Sequence, residues 1–70
     1  MSPISENCRE DIELAIGRAA ANRDILAVAI VAKAIAARHG ASPQEVADEL
    51  TIVGIKAGVT MEFGSPDMPA

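Results

Sequence analysis

Apolar residues recur at steps of three and four along nearly the whole chain, which is the spacing that places them on one side of an α-helix. The first such series is Ile4, Cys8, Ile12, Ala15, Ile16 and Ala19. Either Ser5, or Ser2 followed by Pro3, is a suitable cap for this helix, and acidic residues occupy its first turns. The pattern predicts an all-α domain of three helices, the first over about residues 5–22.

A polar interruption at residues 22–24 separates this series from a second apolar segment. Asp24 is a suitable N-cap and Gly40 is typical of a helix end, so we predict the second helix over about residues 24–39. This helix is apolar nearly all round, which indicates that it packs between two partners. Because the interruption contains neither Gly nor Pro, a single bent helix over about residues 5–38 is the alternative.

The sequence signature of a capping box is formed by Ser42, Pro43 and Glu45, and predicts that the third helix begins at residue 42. Two apolar stripes then run without a phase slip and predict a helix over about residues 42–63. Their members are Val46, Leu50, Val53, Ala57 and Met61 in one stripe and Ile52, Ile55, Val59 and Phe63 in the other. Gly54 lies inside this helix and is expected to meet another backbone at close range.

A different interpretation ends the third helix at Gly58 and makes residues 59–63 a short strand that pairs with the same strand of a second copy. Residues 64–70 contain two prolines and no periodicity. We therefore expect a single helical domain over residues 1–63 and a flexible C-terminal tail over residues 64–70.

The chain is short and its apolar residues are small. Of its 70 residues, 50% are hydrophobic, and Phe63 is the only aromatic residue. A core of Ala, Val, Ile and Leu in so short a chain buries little area, and domains of this size usually need further support. A second copy would supply it, so we expect a homodimer or a higher oligomer.

The net charge of -4 and the isoelectric point near 4.7 disfavour broad attraction to nucleic acid or to an anionic membrane. The longest apolar run, residues 25–37, contains Lys33 and is shorter than the ~20 residues that cross a bilayer. Cys8 has no partner for an internal disulfide, and the N-terminus shows no secretory leader. We expect a cytoplasmic protein without membrane association.

Few residue types suited to catalysis or metal binding are present. His39 falls in the last turn of a predicted helix, where a positive side chain stabilises the C-terminal end, and Cys8 lies on an apolar stripe and is expected in the core. One Cys and one His far apart do not form a metal site. Adjacent acidic residues such as Glu10 and Asp11 point to different helix faces. We therefore predict no catalytic residue, metal or cofactor, and a protein that is not an enzyme.

Residues 42–52, with the sequence SPQEVADELTI, resemble the first helix and turn of a helix-turn-helix DNA-binding domain. In that family a capped helix carries Val-Ala or Ile-Ala and then Leu before the turn. The resemblance implies that residues 55–63 are the recognition helix of a small dimeric regulator that reads paired half-sites. This chain departs from the pattern because Lys56 is the only basic residue in that stretch, which lacks Arg, Gln and Asn for reading bases. Lys56 is then the DNA contact of this alternative function.

The apolar surplus of the second and third helices favours a different function. Two apolar faces on one helix exceed what so small a monomer can bury, and the surplus is typical of an interaction surface. We expect a non-enzymatic, self-associating helical module that also docks a protein partner. The candidate oligomer or partner interface consists of Ile52, Ile55, Val59 and Phe63. A charged residue in place of Ile55 or Phe63 is expected to dissociate the oligomer.

Overall fold

The computed structural model describes residues 4–63, which form three helices and two very short strands. In chain order the elements are α1 (Glu6–Asn22), β1 (Leu26–Ala27), α2 (Val28–His39), α3 (Pro43–Ala57) and β2 (Met61–Glu62). The predicted class, a small domain of three helices, is confirmed. The predicted tail over residues 64–70 and the alternative cap at Ser2 lie outside the described residues.

The first helix begins and ends at residues that stop it locally. The Oγ of Ser5 accepts a hydrogen bond from the backbone N–H of Cys8 at 3.1 Å, so Ser5 is the N-cap. At the other end Arg23 has a φ of 54°, the left-handed conformation that terminates a helix. The predicted break between the first and second helices is therefore confirmed, and the single bent helix is wrong.

The left-handed conformation of Arg23 leads to a stability prediction. A residue with a side chain costs about 1–2 kcal/mol at positive φ. Glycine avoids this cost, but its more flexible unfolded chain cancels part of the gain. Arg23→Gly should therefore raise the free energy of unfolding by up to about 1 kcal/mol in urea denaturation. The matched control is Gly40→Ala, at a φ of 63°, which should lower it by about 1 kcal/mol. Changes of the same sign in both variants would contradict the interpretation.

The second helix starts later than predicted, because two residues of its predicted first turn, Leu26 and Ala27, form a strand instead. The backbone N–H of Leu26 donates to the carbonyl oxygen of Thr60 at 2.8 Å, and β1 lies parallel to β2 with Leu26 opposite Met61. Helix α2 then begins at Val28 with Ala27 as its N-cap, so the prediction that Asp24 caps this helix is wrong. At its other end Gly40 takes the left-handed conformation, as predicted.

The third helix is shorter than predicted. Ser42 is its N-cap, but its side chain makes no capping hydrogen bond, so only the position of the predicted capping box is correct. The helix ends at Ala57 because Gly58 turns the chain with a φ of 74°. The predicted helix over residues 42–63 is therefore wrong beyond Ala57. The alternative, a strand after Gly58, is correct in part, since β2 forms but pairs with β1 of the same chain.

The core lies where the three helices meet and is almost entirely aliphatic. Its buried members are Cys8, Ile12, Ile16, Ala19, Leu26, Val28, Ala32, Ile35, Ala36, Val46, Leu50 and Val59. The side chain of Met61 packs against this core beside Gly54. A Cβ on Gly54 would lie 2.7 Å from Met61 Sδ and 3.3 Å from Ile16 Cδ1. Gly54 is thus needed because side chains approach it, and the predicted approach of another backbone is wrong.

The helices of the described region are too short or too polar for a membrane span. None of those within residues 4–63 combines the length and the hydropathy that crossing a bilayer requires.

Candidate functional site

Three of the four residues of the predicted interface are exposed, and one is buried. Ile52 and Ile55 lie on α3 with 50% and 66% of their surface exposed, and Phe63 lies beyond β2 with 59% exposed. Val59 is instead buried in the core, at 9%. The predicted stripe requires a helix that continues to residue 63. The chain instead turns at Gly58, so the residues after it no longer follow the helical spacing of α3.

Helix α3 therefore presents a smaller surface than predicted, which we call the α3 surface and define as Ile52 and Ile55. It points away from the core because Val46, Leu50 and Gly54 occupy the opposite, buried side of the helix. Among its polar neighbours, Asp48 accepts a hydrogen bond from the Gln44 side chain at 3.2 Å. Two β-branched aliphatic side chains on an exposed helix face are suited to contact with another protein.

A second apolar surface lies on the first helix, where sequence analysis did not place one. Leu14 is 65% exposed on α1, and Ile30 is 51% exposed on α2. Both line a groove of about 370 Å³ between these two helices. Its other lining residues are Asp11, Ala15, Arg18, Val31, Ala34, Ile35 and Arg38. The signal was available, because Leu14 falls outside the stripe of Cys8, Ile12 and Ile16.

One side of this groove ends in a polar cluster that joins α1 to α2. The Nε2 atom of His39 lies 2.6 Å from Oδ2 of Asp11, and Nη1 of Arg38 lies 3.6 Å from the same oxygen. The hydrogen bond from His39, with the charge of Arg38 adding to it, holds the pKa of Asp11 below its usual value although partial burial opposes the shift. His39 lies in the last turn of α2, as predicted, and its side chain also links the two helices.

The lowered pKa of Asp11 predicts how stability depends on pH. Its carboxylate stabilises the fold above the ordinary Asp pKa of about 4, and this contribution is lost as the pH falls through the lower folded-state pKa. Between about pH 5 and pH 3 the wild type should therefore lose more melting temperature than Asp11→Asn. Glu13→Gln is the control, because Glu13 is exposed and has no ion pair among residues 4–63. Parallel curves for wild type and Asp11→Asn would contradict the role of this cluster.

The single cysteine lies where the sequence predicted it. Cys8 is fully buried on α1, and burial, with the nearby charge of Asp11 acting in the same direction, raises the pKa of its thiol. A buried thiol with a raised pKa is a poor nucleophile. Within residues 4–63, His, Cys, Asp and Glu side chains do not assemble in threes at a position that could hold a metal ion.

The part of the chain that resembled a helix-turn-helix folds differently. Helix α3 runs unbroken from Pro43 to Ala57, and residues 58–63 are a turn and a strand, so the implied recognition helix over residues 55–63 is wrong. Lys56 is exposed in the last turn of α3. DNA binding stays a prediction, and a mobility-shift assay at low salt that compares wild type with Lys56→Glu tests it.

No protein-family model matches the chain, and comparisons with curated proteins and with solved structures find no significant match.

Proposed function

We propose that this protein is a self-associating helical module that docks a protein partner and is not an enzyme. The supporting observation is the set of large apolar side chains that residues 4–63 leave at least half exposed. They are Leu14, Ile25, Ile30, Ile52, Ile55 and Phe63. Apolar side chains that lie together at the surface, as Leu14 and Ile30 do at the groove between α1 and α2, are typical of interaction sites. The buried, free Cys8 is compatible with a cytoplasmic setting, which we also propose.

The small apolar area of the core limits the stability of the monomer and also favours association with a second chain. Full burial of a Leu or Ile side chain is worth about 1.5–3 kcal/mol, so covering one that is half exposed contributes about 1 kcal/mol. The core consists of aliphatic residues and Cys8, and Phe63, the one aromatic residue, is exposed. A second chain placed on the exposed side chains would therefore add stabilisation that the monomer cannot obtain from its own core.

The test is the mass in solution as a function of concentration. Light scattering after size exclusion, together with sedimentation equilibrium, should give a multiple of the 7.2 kDa chain mass at tens of micromolar and a lower mass on dilution. A monomer throughout this range would contradict self-association.

The interface is then located with one charged substitution in each apolar surface. The two variants are Ile55→Glu on the α3 surface and Leu14→Glu on α1, both at exposed helical positions where the fold tolerates Glu. Far-ultraviolet circular dichroism checks that each variant keeps its helices. Loss of mass in one variant identifies the self-association surface and leaves the other surface for a protein partner. An unchanged mass in both variants would mean that these side chains do not hold the oligomer together.

A further inference from the structure

Gly17 occupies an exposed position inside α1, and no contact among residues 4–63 explains why glycine is there. A Cβ at this position would have no atom within 4 Å beyond the backbone of its own helix, so the residue is not needed for packing in the described structure. Its conformation is helical, so no positive φ requires glycine either. A glycine in a helix interior costs about 0.5–1 kcal/mol relative to alanine. This cost is offset if a second helix approaches α1 closely at Gly17.

The same face of α1 carries Leu14 and two opposite charges. Glu10 lies four residues before Leu14 and Arg18 lies four residues after it, so all three share one side of the helix. Neither charge forms an ion pair among residues 4–63. They cannot reach each other within one helix, because eight residues span about 12 Å along its axis. We call Glu10, Leu14, Gly17 and Arg18 the α1 face.

We propose that a second copy of this chain docks antiparallel on the α1 face, about a two-fold axis that passes close to Leu14. This inference rests on the proposed self-association and says where the second copy binds. The two-fold axis places Leu14 of each copy against Leu14 and Gly17 of the other, and sets each Arg18 beside Glu10 of the other copy. Most homo-oligomers are built on such self-complementary interfaces.

Charge complementarity favours a second copy over an unrelated protein as the occupant. A face with an acid and a base at equal distances on either side of an apolar residue matches itself when turned by 180°. On the α3 surface, Asp48 and Lys56 flank Ile52 in the same way, but Asp48 already bonds Gln44 and this surface contains no unexplained glycine. The α3 surface is thus left free for the protein partner, and Ile55→Glu should leave the dimer intact, contrary to the expectation from sequence.

Charge reversal with complementation tests this geometry. Glu10→Arg and Arg18→Glu should each raise the dimer dissociation constant about 3- to 30-fold, because each leaves like charges opposed across both halves of the interface. The double variant should return to within about threefold of wild type. An equal mixture of the two single variants should form a mixed dimer, because every pair in it joins opposite charges. Sedimentation equilibrium gives these constants, and separately tagged chains identify the mixed dimer.

Steric substitution provides an independent readout. Gly17→Gln should raise the dissociation constant at least about tenfold while helicity stays equal or increases. Ala20→Gln, at an exposed position of α1 outside the face, is the matched control and should have little effect. A dimer that is unaffected by Gly17→Gln and by both charge reversals would overturn the α1 face and leave self-association intact. A chain that is monomeric in every variant and in wild type would instead overturn the proposed function itself.

Discussion

Replacing Leu50 by alanine is expected to lower the free energy of unfolding by about 2–5 kcal/mol, the range for a large aliphatic side chain removed from a well-packed core. Leu50 is fully buried on α3, among core residues from the other two helices. Removing its side chain loses the transfer free energy and also leaves a cavity that the surrounding aliphatic residues can only partly close. A domain of this size has a small net stability, so the variant should be largely unfolded at ambient temperature.

The matched control is Ile55→Ala on the same helix. Ile55 is more than half exposed, and alanine has the higher helix propensity, so the free energy of unfolding should change by less than about 0.5 kcal/mol. Both variants are measured by urea denaturation at equal protein concentration, because self-association shifts the apparent stability. Losses of similar size in the two variants would mean that the outward face of α3 is packed as tightly as the core.

The second large effect is expected at Gly54. A leucine there must enter the space that the Met61 side chain and Ile16 Cδ1 occupy, so the end of the Met61 side chain has to leave its contact with α3. Overpacking of this kind costs about 1–3 kcal/mol, so Gly54→Leu should lower the free energy of unfolding by that amount. The loss of Met61 packing should also weaken the pairing of β2 with β1.

Gly17→Leu makes the same change at the other glycine in a helix interior. Because a Cβ at Gly17 would contact none of the described residues, leucine should raise the free energy of unfolding by about 0.5–1 kcal/mol through helix propensity alone. Low-micromolar protein keeps the contribution of self-association small in both measurements. If Gly54→Leu were as stable as Gly17→Leu, the close contact between Gly54 and Met61 would not exist in solution.

Local signals in the sequence were sufficient for three helices and most of their ends. Ser5, Gly40 and Ser42 lie at helix ends because the conformation or capping that they favour depends on a few adjacent residues. Spacing alone also placed Cys8 in the core. The predicted capping bond of Ser42 did not form, although its position was correct.

Contacts between distant parts of the chain decided what the sequence could not show. Leu26 is in a strand and not in the second helix, because its backbone N–H donates to the carbonyl oxygen of Thr60, which is distant in sequence. Helix α3 therefore ends early at the left-handed Gly58, and Val59, one of the four residues of the predicted interface, lies in the core. Helical spacing identifies which residues share a face, but only the assembled helices determine which faces are covered. The spacing of Leu14 already placed it outside the buried stripe, but only the tertiary structure showed that residues 4–63 leave it uncovered and that a side chain at Gly17 would contact none of them.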